Sequence, residues 1–238
     1  PVAAFMTTFP YIPSFPASES SEPRANRVEF PSFEQRTTFG INPLQDTWDL
    51  NFAARTATER NNIYAFLETR RGAEPFQWTT PFSETGSFVC TSWSTDLDSC
   101  ALNTLTAKFE LQYIPGGPNL VLPAAPTTAF SFAPDFVATK SYESQSRVTN
   151  FGDGYKQRIQ FGLWPQREEW RLSFEDRTNT ERDQIRNYLR GAKAVTAFAW
   201  TDPMSGQPIK VVCDKWNTQY NNFNNSAIQA VFRRVFEP

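Results

Sequence analysis

The chain repeats itself, and the repeat limits what it can fold into more than any other feature. Phe33-Glu34-Gln35-Arg36 is answered 122 positions later by Tyr155-Lys156-Gln157-Arg158. At the same shift Gly40 answers Gly162, Pro43 answers Pro165, Trp48 answers Trp170, Leu50 answers Leu172 and Phe52 answers Phe174. Thr58-Glu59-Arg60 matches Thr180-Glu181-Arg182, and Phe76-x-Trp78-Thr79-x-Pro81 matches Phe198-x-Trp200-Thr201-x-Pro203. After one inserted residue, Cys90, Trp93, Phe109 and Pro115 answer Cys213, Trp216, Phe232 and Pro238 at a shift of 123. Agreement in order over most of a chain means one folding unit used twice. The domain limits expected from it are 1–115 and 127–238, with a linker at 116–126 whose Gly116-Gly117-Pro118 start suits a semi-extended connection.

Each unit reads as β segments with one helix inserted midway. In Thr47–Phe52 and Glu169–Phe174, Trp, Leu and Phe fall on alternate positions, the pattern of a strand with one apolar face. Thr56-x-x-Glu59 and Thr178-x-x-Glu181 are capping boxes, in which hydroxyl and carboxylate each satisfy a free backbone N–H. Ile63, Phe66 and Leu67, and Ile185, Tyr188 and Leu189, follow at helical spacing. Strand text returns at Phe76–Thr79, Phe198–Thr201, Ile209–Trp216, Thr104–Tyr113 and Ser226–Phe236. Gly152-Asp153-Gly154 reads as a tight turn of residues that tolerate positive φ. The arms Phe9–Phe15 and Phe130–Phe136 read as extended segments or edge strands, packing on their own domain or reaching a neighbour. The run Ser18-Glu19-Ser20-Ser21-Glu22-Pro23 is expected to be a polar loop or hairpin tip. The fold class is therefore α+β, mainly β and antiparallel.

Little in this text performs chemistry. There is no His, which removes the usual general base and the commonest metal ligand. Cys90, Cys100 and Cys213 lack metal-ligand spacing, and their odd number argues against a disulfide framework and for folding in a reducing cytoplasm. Cys90 and Cys213 are expected to be small buried residues. Glu168-Glu169 and Glu175-Asp176 are neighbours in strand text and point to opposite faces, so neither is a joint acid–base site. No Gly-rich phosphate loop precedes a helix, and the spaced carboxylates of a calcium loop are missing. No catalytic, cofactor or metal site is expected. No run approaches the ~20 apolar residues of a membrane span. No secretory signal is visible, and Pro1 is read as following a removed initiator Met.

Net charge is −2, which makes no global case for nucleic-acid binding. Its distribution is uneven. Residues 1–115 hold 8 Lys+Arg and 13 Asp+Glu, a net of −5, and the remainder holds 15 and 12, a net of +3. Drift between copies is one reading. The other is that unlike domains sit side by side, where complementary fields fix their order more than they add affinity. The paired Trp48/Trp170, Trp78/Trp200 and Trp93/Trp216 read as core or subunit contacts, with sugar stacking as the alternative.

Three ordered motifs carry a family resemblance. They are Phe151-Gly152-Asp153-Gly154-Tyr155-x-Gln157-Arg158, Phe198-x-Trp200-Thr201-x-Pro203 and Ile209-Lys210-Val211-x-Cys213-x-Lys215-Trp216. Over Arg147–Pro238 the chain resembles the minor tail protein M family of long-tailed, non-contractile bacteriophages. The first unit keeps the pattern more loosely, through Gln35-Arg36, Phe76-x-Trp78-Thr79-x-Pro81 and Cys90-x-x-Trp93, and lacks the Gly-Asp-Gly turn. The resemblance implies two tandem tail-tube-like domains, each an antiparallel β-sandwich or barrel with one flanking helix. It implies a structural protein of the virion tail, assembled in the host cytoplasm and not an enzyme. Its ring would join the tail tube to the tail-tip or baseplate hub, around a channel for tape-measure protein and for DNA in transit. The expected partners are copies of itself, the tail tube protein, the hub proteins and the tape measure protein, with no membrane binding. Two fused domains would make such a ring a trimer with a pseudo-hexameric face. The loops Ser83–Ser87 and Ser205–Pro208 are expected to contact the next ring. The rival class is a carbohydrate-binding module of a virion or surface protein, and a hydrolase is disfavoured by the absent His.

Overall fold

The computed structural model describes residues 6–30, 34–40, 42–97, 102–115, 117, 119–136, 138–144, 146–160 and 166–236. Of the residues singled out above, Pro1, Phe33, Cys100, Gly116, Pro118, Gly162, Pro165 and Pro238 lie outside these. The first repeat runs β1 (Ser14–Pro23), β2 (Ala25–Glu29), β3 (Glu34–Thr38), β4 (Leu44–Arg55), α1 (Ala57–Arg70), β5 (Phe76–Thr79), β6 (Thr85–Leu97) and β7 (Asn103–Leu111). The second runs β8 (Thr139–Ser144), β9 (Ser146–Asn150), β10 (Lys156–Gln160), β11 (Gln166–Arg177), α2 (Asn179–Ala192), β12 (Phe198–Thr201), β13 (Pro208–Asn222) and β14 (Asn225–Arg234). The fold is α+β, mainly β: antiparallel sheet with one helix in each of two repeats.

The same local chemistry builds both copies. Thr56 and Thr178 cap their helices through complete capping boxes with Glu59 and Glu181, and both helices end on a left-handed residue, Arg71 and Lys193. Trp48, Leu50 and Phe52 of β4 turn one face of the sheet towards Ile63 and Leu67 of α1, closing the first core with Phe76, Trp78, Phe88 and Phe109. Trp170, Leu172 and Phe174 of β11 do the same against Ile185 and Leu189 of α2. Each fully buried large side chain contributes about 1.5–3 kcal/mol. Trp48 meets Trp78 edge-on at 5.5 Å, and Trp170 meets Trp200 at 5.6 Å. Even the irregularities recur. The register slips after Phe52 and after Phe174, where Ala54 and Asp176 take positive φ, and again after Cys90 and after Cys213. Between β9 and β10, the 3-10 turn Gly152–Gly154 has Asp153 and Gly154 at positive φ, as the Gly-Asp-Gly text predicts.

The two repeats do not keep separate sheets. One antiparallel sheet runs β5-β6-β7-β4-β1-β13-β14-β11-β8, with β12 alongside β13. Within it the quartets β6-β7-β4-β1 and β13-β14-β11-β8 are counterparts in the same order, joined where β1 meets β13. The hairpins β2–β3 and β9–β10 stand off this sheet as two small sheets.

The run Ser18–Pro23, expected as a loop, is corrected by this arrangement: it is most of β1, an interior strand. Its polar side chains hid the strand, because Glu19 and Ser21 face inward and are buried. Buried polar groups of this kind persist only when fully partnered, and their partners come from elsewhere in the chain.

Candidate assembly interface

The joint between the repeats is built on a ladder. β1 pairs with β4 of its own repeat on one side and β13 of the second on the other, in register from Ala17↔Tyr220 to Ser21↔Trp216. Apolar groups cross it both ways. Leu44 sits in the second core, and Tyr220 in the first, against Phe15 at 4.8 Å and Phe82 at 5.8 Å between ring centroids.

Charge crosses it in one direction. α2 turns Arg182, Arg186 and Arg190 inward, all buried. The Arg186 guanidinium donates to both oxygens of Glu19 at 2.5 and 2.6 Å and to Glu84 at 2.7 Å. Arg190 donates to Glu84 at 3.0 Å and to Asp46, which accepts from the Ser21 hydroxyl at 2.6 Å. Arg182 and Arg186 also lie over the Phe82 ring at 4.3 and 4.7 Å, a desolvated cation–π contact. Further along, Arg233 of β14 donates to Glu34 of the β2–β3 hairpin at 2.6 and 3.1 Å, and Arg36 donates to the Val195 carbonyl at 3.0 Å.

Burial pushes the Glu19 carboxyl up, against the pull of Arg186. Burial acts on Glu84 and Glu34 in the same sense, but hydrogen bonds from Arg186 and from Arg233, respectively, hold both below the ordinary carboxylate range. Arg186 is held charged in spite of burial, by Glu19 and Glu84. A buried pair of this kind adds little against an apolar isostere, but it is costly to break from one side. It therefore acts as a code for which surfaces meet. The first repeat supplies the acids and the second the bases, so the uneven charge of the halves has a structural use.

At the two ends of the sheet the corresponding edges are open among the described residues. β5 pairs only with Thr85–Phe88 of β6, so the rest of β6 has β7 on one side alone. β8 has β11 on one side alone.

The residues singled out in the sequence fall as follows. Phe9 and Phe130 are buried in their own cores, with N–H groups donating to Gln77 and Ala199 carbonyls, so both arms begin on their own repeat. The first then leads into β1 and reaches the other repeat. The Ser83–Ser87 stretch includes Glu84, which pairs with Arg186 and Arg190 of α2 in the same chain. Trp48, Trp78, Trp170, Trp200 and Trp216 are buried and Trp93 is half-buried, which argues against sugar platforms. Cys90 and Cys213 are buried free thiols. Burial pushes Cys90 up to about 12 and Cys213 higher still, the opposite of a reactive thiolate. Glu168 pairs with Lys140 and Arg234, and Glu169 with Arg171, so they do not converge. Among the described residues, no group of three or more His, Cys, Asp and Glu is placed to hold a metal ion.

Sequence reasoning missed Glu19, Asp46, Glu84 and the three α2 arginines. The signal was present: Arg182, Arg186 and Arg190 fall every four residues, a basic stripe on one helix face, beside an apolar stripe that already accounts for the core.

Comparison with known families bears on what this joint serves. The family described as phage minor tail protein matches residues 7–113 and again residues 128–236, one match for each repeat. No curated protein matches the sequence.

Proposed function

Starting from the fact that this chain belongs to the phage minor tail protein family, with two copies of the family's domain in tandem, we propose that it builds a closed ring in the virion tail. Its role is structural, and its place is the tail. In our reading the domains are 1–115 and 127–238, with 116–126 between them, and three chains supply six domains. The ring is a homotrimer with a pseudo-sixfold face, adapting a sixfold tail tube to a threefold tip or baseplate hub. Tape-measure protein and DNA in transit occupy the bore. The function is assembly by surface fit, with no turnover.

The observation that carries this reading is the shared ladder, because each repeat contributes an equivalent strand quartet to one continuous sheet. A contact of this kind is heterologous, one edge meeting a different edge, and such contacts close into rings when the rotation allows. Eight strands per chain, from β6 to β8, would give about 24 in a trimer. At ~4.8 Å between strands and a tilt of up to ~40°, the backbone diameter is roughly 37–48 Å. The helices lie on one face of the sheet, and the other carries Asp49, Asn51, Ser94, Thr106, Lys108, Asn217 and Gln229. Facing that polar side inward gives a wetted channel that binds nothing tightly, as passage requires.

The test is the mass and symmetry of the assembled protein. Multi-angle light scattering of the full chain, with electron microscopy of tails, is expected to give three chains per ring. Six chains per ring, or a permanent monomer within assembled tails, would contradict the reading.

A further inference from the structure

We propose that the open β8 edge of one chain pairs with the open β6 edge of a second copy, in the register of the internal β1/β13 joint but with its hairpin ion pair reversed in sign. The proposal rests on the ring reading and specifies the contact that closes it. The structural equivalence fixes the pairing. Ser18 and Thr139 lie opposite the matched residues Asp49 and Arg171, so β1 maps onto β8 at a shift of 121. β6 maps onto β13 at a shift of 123, through Cys90/Cys213 and Trp93/Trp216. The register Ala17↔Tyr220 to Ser21↔Trp216 then becomes Ala138↔Leu97, Thr139↔Asp96, Lys140↔Thr95, Ser141↔Ser94 and Tyr142↔Trp93.

The open edges carry the apolar groups that such a joint requires. Tyr220, Phe15, Phe82 and Ser21 meet at or beside the internal joint. Their counterparts Leu97, Phe136, Met204 and Tyr142 are 75, 110, 60 and 59% exposed. Leu97 lies on the β6 end and the other three on or near the β8 end, where Lys140 holds Asp202 of the Met204 turn, so no single chain can bury Leu97 against them. A surface cleft lined by Glu68, Thr69, Arg71, Glu74 and Trp93 lies beside the position that this register gives to the neighbour's Tyr142.

The charges then select the partner. Glu19 becomes Lys140, which Glu168 and Asp202 hold within its own repeat, and Arg186 and Arg190 become Tyr64 and Glu68, both exposed, so the buried Glu19–Arg186 pair has no charged counterpart at the new joint. Glu84 becomes Gln207. The hairpin contact inverts. Glu34 and Arg233 become Lys156, on a β9–β10 hairpin whose strands are exposed throughout, and Glu110 of β7. One ion pair thus changes sign and remains complementary. Asp46 becomes Glu168, which Lys140 and Arg234 already neutralise. Joining two first repeats would bring acid to acid, and joining two second repeats base to base. The chains can therefore only alternate repeats around the ring, an order set by repulsion as much as attraction.

The experiment is a disulfide scan of the full-length chain, both purified and in assembled tails. In Ser94→Cys/Ser141→Cys the two thiols lie at opposite ends of one chain and meet only across the new joint. Oxidation is expected to give covalent ladders ending at three chains, while Ser94→Cys/Glu143→Cys, out of register by two, gives none. Lys156→Glu in the first background is expected to lower cross-linking about tenfold or more, and Glu110→Lys in the same chain to restore it. A merely structural role for Lys156 would not be rescued that way. Three-chain rings without the Ser94–Ser141 link, or with the out-of-register link instead, would overturn this joint and leave the ring standing. Monomer in solution and in tails would remove both.

Discussion

At the scale of single residues, buried charge is what distinguishes the two repeats. Arg186 is one of the largest fully buried side chains in the molecule, and it is buried against Glu19. Arg186→Ala leaves that carboxylate buried and unpaired, and is expected to destabilise the fold by about 3–5 kcal/mol. Replacing Glu19 and Arg186 together by apolar residues of similar volume is expected to recover most of the loss, which urea denaturation of the two variants checks. The pH dependence follows from Glu84 and Glu34, whose pKa values are lower folded than unfolded. Their stabilisation is complete above the ordinary value of 4.5 and is lost as pH falls through the lower, folded value. Thermal unfolding from pH 7 downward is expected to show a loss of stability setting in near that value, shallower in Glu84→Gln. An equal slope in the variant would remove Glu84 from the account.

At the scale of elements, the helices and most strands were legible because local chemistry and tertiary position agree. Thr56 and Thr178 announced their helices in sequence and cap them in the fold, and each change to Ala is expected to cost about 1 kcal/mol in denaturant unfolding. The alternation in β4 and β11 was read correctly because Trp48, Trp170 and their neighbours face a core within their own repeat. β1 was illegible for the opposite reason. Its inward side chains are Ala17, Glu19 and Ser21, and only the distant Arg186, Asp46 and Tyr220 make that face a buried one. No pattern local to residues 14–23 contains those partners. The interface as a whole shared this fate: the charge imbalance was visible, but drift between copies explained it as well until the joint placed the acids and bases opposite each other.

At the scale of the whole molecule, the duplication does more than double a domain. One copy of a β-rich unit with two unlike edges can only join identical units. Two diverged copies permit two kinds of joint, one covalently tethered and one between chains, each with its own ion pairs. In the proposed ring, threefold order in a sixfold setting follows from that divergence. If charge selects the partner, added salt is expected to weaken ring formation by the chain, as followed by light scattering, because the proposed pairing of exposed Lys156 with half-buried Glu110 is open to screening. Assembly indifferent to salt would assign the order to shape instead. The most direct measurement is an electron-microscopy reconstruction of the assembled tail at a resolution that separates strands. The account predicts three chains in a ring, repeats alternating, and an unbroken antiparallel ladder passing from β8 of each chain to β6 of the next. Six chains in the ring, or repeats meeting through any surface other than these two edges, would contradict it.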